Sequence, residues 1–167
     1  MPYKMHSFYL RNMYMNNRLR EPGGIELNGV PIDISKVKAP CYFISTMEDH
    51  IAPWKSTYLG ATVLGGPVRF VLGGSGHIAG IVNPPAANTY NYWTNEVKSL
   101  PETPEEWLAG AEQHPGSWWT DWQKWIGGLN GKDMVAARDP AKGKLKALED
   151  APGSFAKFRL DKQTKPA

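Results

Sequence analysis

The stretch that decides the fold is CYFISTMEDHIAPWKSTYLGATVLGGPVRFVLGGSGHIAG, residues 41–80. It contains two compact apolar runs, CYFIS and VRFVL, of the kind that is buried on both faces of a parallel sheet. Between them, residues 53–64 predict a helix with Pro53 in its first turn, which the following glycines end. Two strands joined by such a helix should be parallel, with a right-handed crossover. The stretch therefore predicts an α/β fold.

Two further elements are predicted before this unit. Residues 5–20 carry apolar side chains at roughly helical spacing, which predicts a helix docked on an apolar surface. The dipeptide Asn28-Gly29 lies between two short alternating runs and predicts a β-hairpin. Pro31 in the second run indicates a strand at the edge of a sheet.

The region after the unit is predicted to begin irregular and to become helical. Residues 83–96 show no periodic pattern. Thr103 opens a capping box whose helix should run to about Gln113, and Ser117 should cap a second helix. Three tryptophans of that second helix have i, i+4 and i+7 spacing, which is typical of a stripe facing the core: Trp118, Trp122 and Trp125.

Composition limits the possible classes of function. The chain has 167 residues, enough for one domain with a core, and its net charge of +3 is too small to indicate nucleic-acid binding. Its single cysteine, Cys41, allows neither an intrachain disulfide nor a cysteine-rich metal site and suits a reducing cytosol. The first residues lack the apolar core of a signal peptide, and no apolar run is long enough to span a membrane. We therefore expect a soluble, cytoplasmic protein without a metal site.

The glycine-rich stretch GGSGHIAGIVNPP, residues 73–85, is compatible with three chemistries. A dinucleotide cradle needs a helix that begins in the loop, and Pro84 and Pro85 block such a helix. A nucleophile elbow at Ser75 needs a small residue two positions later, where His77 stands. The remaining interpretation is a loop that delivers a catalytic histidine.

Asp49 and His77 follow the two predicted parallel strands, so both should lie at the same edge of the sheet. A carboxylate on one loop could hold the imidazole on the next in the tautomer that a catalytic base needs. A structural interpretation stays open, in which His77 satisfies backbone groups in a glycine turn and Asp49 caps the following helix. Glu48 and His50 are less well placed for the same two roles.

The amino-acid sequences of these segments indicate a particular family, which their spacing alone does not. Six segments follow one another as they do in poly(3-hydroxyalkanoate) synthases: FYLRNMYMNNRLREPGG, EDHIAPW, FVLGGSGHIAGIVNPP, YWTN, WLAGA and GSWWTDWQKWI. The resemblance covers nearly the whole chain, through APGSF near its end. The chain most resembles the class I enzymes, which polymerise short hydroxyacyl units.

The resemblance implies the C-terminal portion of an α/β-hydrolase fold, a βαβ unit with flanking helices that lacks the nucleophile-bearing strands. In that family a cysteine in an elbow receives a 3-hydroxyacyl group from coenzyme A, and the polyester grows by acyl transfer onto a hydroxyl. The family's catalytic aspartate maps to Asp49 and its histidine to His77. Cys41 is not a candidate nucleophile, because it follows Pro40 inside a predicted strand without flanking glycines. We therefore expect the chain to supply the acid and the base but not the nucleophile.

The resemblance also implies partners and a place of action. The substrate would be 3-hydroxyacyl-CoA, with no cofactor, and the chain would also bind the growing polyester and a second copy in a homodimer. The place of action would be the surface of storage granules in the cytoplasm. Trp54 and His50, just after the acid, are the candidates for substrate contact, although Trp54 also fits a packed core.

Two parts of the chain are expected. Residues 1–130 should form the C-terminal part of an α/β-hydrolase catalytic domain, with residues 1–20 as a helix from its junction with a cap. Residues 131–167 should form a basic extension, partly docked and frayed at its end.

Other functions stay open. One is a non-catalytic module that binds granules or another protein through the N-terminal helix and the tryptophans. Another is a fragment of an α/β-hydrolase with a different acyl-transfer or ester-hydrolysis activity, including a serine hydrolase that uses Ser75.

Overall fold

The computed structural model describes residues 1–129 and 136–159. The chain divides into two compact units, residues 1–129 and residues 130–167. The predicted frayed end, residues 162–167, lies outside the described residues.

The first unit contains a helical N-terminal segment, a small hairpin and a mixed sheet covered by helices. The strands are β1 (Ile25–Leu27), β2 (Val30–Ile32), β3 (Cys41–Thr46), β4 (Val68–Gly73), β5 (Asn91–Thr94) and β6 (Glu112–Pro115). The α-helices are α1 (Tyr3–Tyr9), α2 (Trp54–Ala61), α3 (Pro104–Ala109) and α4 (Trp119–Leu129). In the second unit the described residues form a 3-10 turn (Pro140–Lys142) and a short helix, α5 (Gly153–Lys157).

The main sheet has four strands in the order β3-β4-β5-β6. Strands β3 and β4 are parallel, with Cys41 opposite Val68 and Thr46 opposite Gly73, and α2 connects them. The predicted α/β fold and its βαβ unit are therefore confirmed. The Asn28-Gly29 hairpin is confirmed as well, since β1 and β2 pair across these two residues, both of which have positive φ.

The prediction of irregular chain over residues 83–96 is wrong in part, because β5 lies within it. Strand β5 is only four residues long and pairs antiparallel with β4 and with β6. Tyr92 and Thr94 are buried on one face, while Trp93 is half-buried on the other. A segment this short is stabilised by its two neighbours rather than by its own propensity, so sequence periodicity does not reveal it.

The helix that begins at Thr103 is confirmed with its capping box, but its predicted end at Gln113 is wrong. Helix α3 stops at Ala109, and Gln113 lies in strand β6. The Asn95 side chain donates a hydrogen bond of 2.8 Å to the carbonyl of Trp107 in the last turn of the helix. A tertiary contact with an otherwise unrelated segment therefore satisfies one of the orphan carbonyls at the helix end.

An aromatic core covers one face of the sheet. Tyr58 of α2 and Trp107 of α3 are completely buried. Both rings pack edge-on against Phe70 of β4, and the two rings contact each other at a tilted angle. Trp54 and Leu72 complete this side. Each large aromatic buried here contributes about 2–3 kcal/mol of hydrophobic stabilisation, so this cluster is the main apolar support of the βαβ unit.

A polar cluster holds α4 on the opposite face. The Asp121 carboxylate accepts hydrogen bonds from Arg69 Nε (2.8 Å) and from the Tyr42 hydroxyl (2.9 Å), and a second Arg69 nitrogen reaches its other oxygen. Burial alone would raise the pKa of Asp121, but the Arg69 guanidinium and the Tyr42 hydroxyl outweigh it and hold that pKa below its usual value. One carboxylate thus ties α4 to both parallel strands.

The predicted tryptophan stripe, which begins one residue before α4, faces this side, but it is not a buried core stripe. Trp118 and Trp125 are half-buried and pack against the ring of Tyr42 at centroid distances of 6.0 and 5.2 Å. Trp122 is 43% exposed. The predicted spacing is confirmed and the predicted burial is wrong, because the helix is held mainly through its first half and its polar Asp121.

The N-terminal helix forms as predicted, but its apolar face is not buried. Helix α1 continues into a π-helical turn over Leu10–Met15, and none of these residues is buried. Phe8 and Tyr9 are about two-fifths exposed. The apolar side chains of this helical segment are therefore not buried against the rest of the described residues. Nor do the described residues contain a helix with the length and apolar character needed to cross a membrane.

We predict that Asp121→Ala lowers the free energy of unfolding by about 2–3 kcal/mol, because the part-buried Arg69 guanidinium keeps only its contact with the exposed Glu96 and the Tyr42 hydroxyl loses its acceptor. Urea titration followed by tryptophan fluorescence measures this loss. The matched control is Glu96→Gln, which removes the other carboxylate on Arg69. Because Glu96 is largely exposed, that change should cost less than about 1 kcal/mol. Equal losses in the two variants would contradict the assigned role of Asp121.

Candidate active site

The loops after β3 and β4 run side by side beyond the strands themselves. The Met47 N–H donates to the Gly73 carbonyl (2.8 Å), and the Glu48 N–H donates to the Ser75 carbonyl (3.1 Å). These bonds continue the parallel ladder past its last paired residues. They bring Asp49 next to the loop that carries His77.

Asp49 uses both carboxylate oxygens. Oδ1 accepts hydrogen bonds from the backbone N–H groups of Ile51 and Ala52, both at 2.9 Å. Oδ2 lies 2.7 Å from His77 Nδ1. The Asp49 side chain is only 7% exposed. The carboxylate therefore closes its own loop with one oxygen and holds the imidazole with the other. It does not cap α2, which begins after Pro53 without a side-chain cap.

The contact with Asp49 defines the tautomer of His77. An ionised carboxylate can only accept a hydrogen bond, so the proton of the neutral imidazole lies on Nδ1. Nε2 is then left with its lone pair. Within residues 1–129 and 136–159, no hydrogen bond engages Nε2, and the side chain is 45% exposed. The arrangement presents an oriented imidazole nitrogen that can accept a proton.

The surroundings of Asp49 favour its ionised form. The backbone N–H of Ala52, followed by the imidazole of His77 and the N–H of Ile51, lowers the pKa of Asp49 to about 2. At neutral pH the group is a fixed negative charge. It can orient an imidazole and stabilise an imidazolium, but it is a weak base.

Two glycines allow the His77 loop to pack tightly against the sheet. A Cβ at Gly80 would collide with the backbone carbonyl of Gly74 and with the Thr46 side chain. A Cβ at Gly74 would meet the side chain of Asn91 in β5. Gly74 also donates its N–H to the Asn91 carbonyl at 2.7 Å. The loop is therefore clamped between the end of β3 and the start of β5.

The other predicted site residues do not take part in the contact between Asp49 and His77. Trp54 is only 8% exposed and packs in the aromatic core, which leaves it little surface for a substrate. His50 and Glu48 are exposed. Cys41 lies at the opposite end of β3, about 17 Å from Thr46 at roughly 3.3 Å per residue. It therefore stands at the wrong edge of the sheet to meet His77.

The sequence interpretation missed Asn83, which is 3% exposed behind the histidine loop. Its side chain donates to the Thr89 carbonyl (2.9 Å) and accepts from the Thr89 hydroxyl (2.8 Å). Its own carbonyl accepts a hydrogen bond from Ser117 Oγ. An Asn directly before two prolines was the available signal, because such a residue must hold an extended backbone.

The imidazole of the pair lies at the surface, where the His77 side chain is 45% exposed. A groove of about 470 Å³ on the sheet face is lined by Arg69, His114 and Asp121 among others, and it includes neither Asp49 nor His77. In the two loops that carry the pair, Ile51, Ile78 and Val82 are more than half exposed. The pair thus stands on an open, partly apolar surface.

In this structure an acid follows one parallel strand and a histidine follows the next, both at the carboxyl edge of a mixed α/β sheet. This is the arrangement of an α/β-hydrolase fold, of which the structure contains a part.

Comparisons with known proteins give a narrower assignment. The chain is 43% identical over 159 residues to the poly(3-hydroxyalkanoate) polymerase subunit PhaC of Cupriavidus necator, which covers 95% of the chain and 27% of that protein. It is 49% identical over 159 residues to the PhaC subunit of Rhizobium meliloti, with 95% and 25% covered. Poly(3-hydroxyalkanoate) polymerase 1 of Ectopseudomonas oleovorans is 36% identical over 150 residues, with 90% and 26% covered. No protein-family model matches the chain.

The predicted resemblance is confirmed: the chain is homologous to a C-terminal part of the poly(3-hydroxyalkanoate) polymerases. The chain spans about a quarter of the length of the curated relatives it matches. The catalytic roles of Asp49 and His77 stay predictions, which the geometry of the pair now makes specific.

We predict that Gly80→Ala destabilises the protein by about 1–3 kcal/mol, because the added methyl group has no room against Gly74 and Thr46. The matched control is Gly76→Ala in the same loop, where the nearest atom to a Cβ is the Glu48 carbonyl at 4.0 Å. That variant should stay within about 0.5 kcal/mol of wild type. Urea unfolding measures both changes. If the two alanines cost the same, close packing of the loop does not depend on Gly80.

We predict that Asp49 stabilises the protein in a pH-dependent manner. Its pKa is about 2 when folded and about 3.9 in an unfolded chain, so its ionised form favours folding. The difference in unfolding free energy between wild type and Asp49→Asn should be largest above about pH 5. It should shrink as the pH falls from about 4 to 2, where the carboxyl becomes protonated in both states.

Urea titrations across this pH range measure the difference. Ser75→Ala, a change between uncharged residues in the neighbouring loop, is the control and should give a difference that does not vary with pH. A constant difference for Asp49→Asn as well would show that its carboxylate has no special stabilisation.

Proposed function

We propose that the chain is the part of a poly(3-hydroxyalkanoate) polymerase that supplies the catalytic base and the residue that orients it. The observation that carries this proposal is the 2.7 Å contact between Asp49 Oδ2 and His77 Nδ1. The similarity to PhaC subunits over 95% of the chain supports 3-hydroxyacyl-CoA as the substrate class and a polyester as the product.

The nucleophile would be a cysteine outside this chain. Cys41 is the single cysteine of the sequence, and it lies at the amino end of β3, whereas the pair lies beyond the carboxyl end. A thiol that transfers its proton to His77 must come within about 3–4 Å of Nε2. The remaining three-quarters of the length of the relatives offers room for such a residue.

In the proposed first step, His77 Nε2 takes the proton of the cysteine thiol. The thiolate then attacks the carbonyl carbon of the acyl-CoA thioester. The bond from that carbon to the sulfur of coenzyme A breaks, and the departing thiolate receives the proton from His77. An enzyme-bound thioester and free coenzyme A result. Asp49 stays ionised throughout and stabilises the imidazolium.

In the second step, a 3-hydroxyl oxygen loses its proton and attacks the carbonyl carbon of the enzyme-bound thioester. The new ester C–O bond forms as the C–S bond breaks, and the released cysteine thiolate takes up the proton. We assign this transfer to His77 as well. An Asp49 carboxylate with a pKa of about 2 is a much weaker base than an imidazole, so it serves to orient His77 rather than to accept the proton itself. The exposed apolar side chains around His77, such as Ile78, suit the hydrocarbon part of an acyl chain.

We predict that His77→Gln, made in a full-length polymerase that carries this segment, lowers the rate of coenzyme A release from 3-hydroxybutyryl-CoA by a factor of about 10²–10⁴. Glutamine retains a polar contact to Asp49 but has no basic nitrogen. The control is His6→Gln, an exposed histidine in α1, which should leave the rate near that of wild type. A thiol-reactive dye follows the release.

Near-normal release by His77→Gln would remove His77 from the mechanism. The isolated 167-residue chain should release no coenzyme A above the buffer rate. Turnover by that chain that is lost in Cys41→Ala would contradict a nucleophile outside it.

A further inference from the structure

The loop that carries His77 ends in one helical turn. The Gly80 N–H donates to the Gly76 carbonyl (3.1 Å), and the Val82 N–H donates to the Ile78 carbonyl (2.8 Å). His77 lies inside this turn, so the stability of the turn decides how firmly the imidazole is held. Its weak point is its end, where a helical turn leaves carbonyls without partners.

Two prolines remove the backbone donors that these carbonyls would use. In a continuing helix, the carbonyl of Gly80 would accept from the N–H of residue 84, and that of Ile81 from residue 85. Both positions are proline, Pro84 and Pro85, which have no N–H. Gly80 is buried and Ile81 is half-buried, so leaving their carbonyls unpaired would be costly.

Two adjacent tryptophans replace the missing donors. The indole Nε1 of Trp118 lies 3.2 Å from the carbonyl oxygens of both Gly80 and Ile81. The indole Nε1 of Trp119 donates to the carbonyl of Ile81 at 3.0 Å. Side chains of Trp118, just before α4, and of Trp119, its first residue, thereby complete a turn that the prolines leave open.

The start of α4 is itself fixed to the end of the loop. Ser117 Oγ donates to the carbonyl of Asn83 and accepts from the N–H of Trp119 at 3.1 Å. The Trp118 ring also packs against Tyr42 of β3, with centroids 6.0 Å apart. Trp118 therefore contacts both the strand that leads to Asp49 and the loop that carries the imidazole.

We propose that Trp118 and Trp119 are positioning residues for His77: their indole N–H groups bind the carbonyls that Pro84 and Pro85 leave without donors, and so hold the imidazole on Asp49. The proposal rests on the proposed function of His77 as the base. What it claims physically is that the two indoles keep the loop that carries His77 in one conformation. The indoles act through the backbone and do not touch the reacting atoms.

The test uses the full chain labelled with ¹⁵N at histidine and at backbone amides. Trp119→Phe removes one donor while keeping an aromatic ring. We expect amide hydrogen exchange over residues 78–82 to accelerate about threefold to tenfold, as for the loss of one hydrogen bond. We also expect the ¹⁵N signals of the His77 ring to shift from the Nδ1–H tautomer towards a mixture. Trp118→Phe should act in the same direction.

The matched control is Trp122→Phe, in the same helix, where the indole is 43% exposed. It should leave both signals unchanged. If the phenylalanine variants do not fold, the substitution of benzothienylalanine at position 119 keeps the ring shape and replaces only the N–H by sulfur. Wild-type exchange and tautomer signals in that variant, or in Trp119→Phe, would overturn the proposal.

An activity measurement separates this proposal from the proposed function. In a full-length polymerase, Trp119→Phe should lower kcat while KM changes little, because the substrate contacts are intact. If His77→Gln retains activity, the proposed function fails, and the tautomer and exchange results still decide the positioning role. If Trp119→Phe loses activity while the His77 ring signals stay those of wild type, the positioning role is overturned and the base assignment stands.

Discussion

The parallel pairing of β3 and β4 is the constraint on which the rest of the structure depends. Because the ladder continues from Thr46 and Gly73 into the two loops that follow, the acid and the histidine are brought together by backbone hydrogen bonds rather than by attraction between their side chains. Within this frame, Asp49 and His77 make their contact of 2.7 Å. A site built on paired strands is held more rigidly than one built on free loops.

The two faces of this sheet are held in different ways. On one face, α2 and α3 bury aromatic rings around Phe70, which is a non-directional and large contribution. On the other, α4 is held by the Asp121 carboxylate and by indole hydrogen bonds, which are directional. The directional side is also the side that contacts the histidine loop. The chemistry of the site therefore rests on geometry that hydrophobic burial alone would not specify.

Much of this could be predicted from the sequence, for identifiable reasons. The βαβ unit follows from two apolar runs and a helix with a proline at its start, and the hairpin follows from the turn chemistry of Asn28-Gly29, both of which are local signals. Strand β5 and the end of α3 could not be predicted. They depend on pairing with β4 and on the contact of Asn95 with Trp107, which join segments that no local pattern connects. The N-terminal helix shows the converse case, in which a correct local pattern wrongly implied a buried apolar face.

The sequence by itself determined the candidates, Asp49 and His77, and the exclusion of a helix after the glycines, because residue type and backbone chemistry are local properties. Only the tertiary structure decided that Asp49 divides its oxygens between its own loop and the imidazole, and that Cys41 lies at the far edge of the sheet. The tertiary structure also decided that the indoles of Trp118 and Trp119 complete the turn before Pro84. These donors lie more than thirty residues away along the chain, so only the packing of the helix on the sheet brings them to the turn. Distances between remote groups arise only on folding, and catalysis depends on those distances.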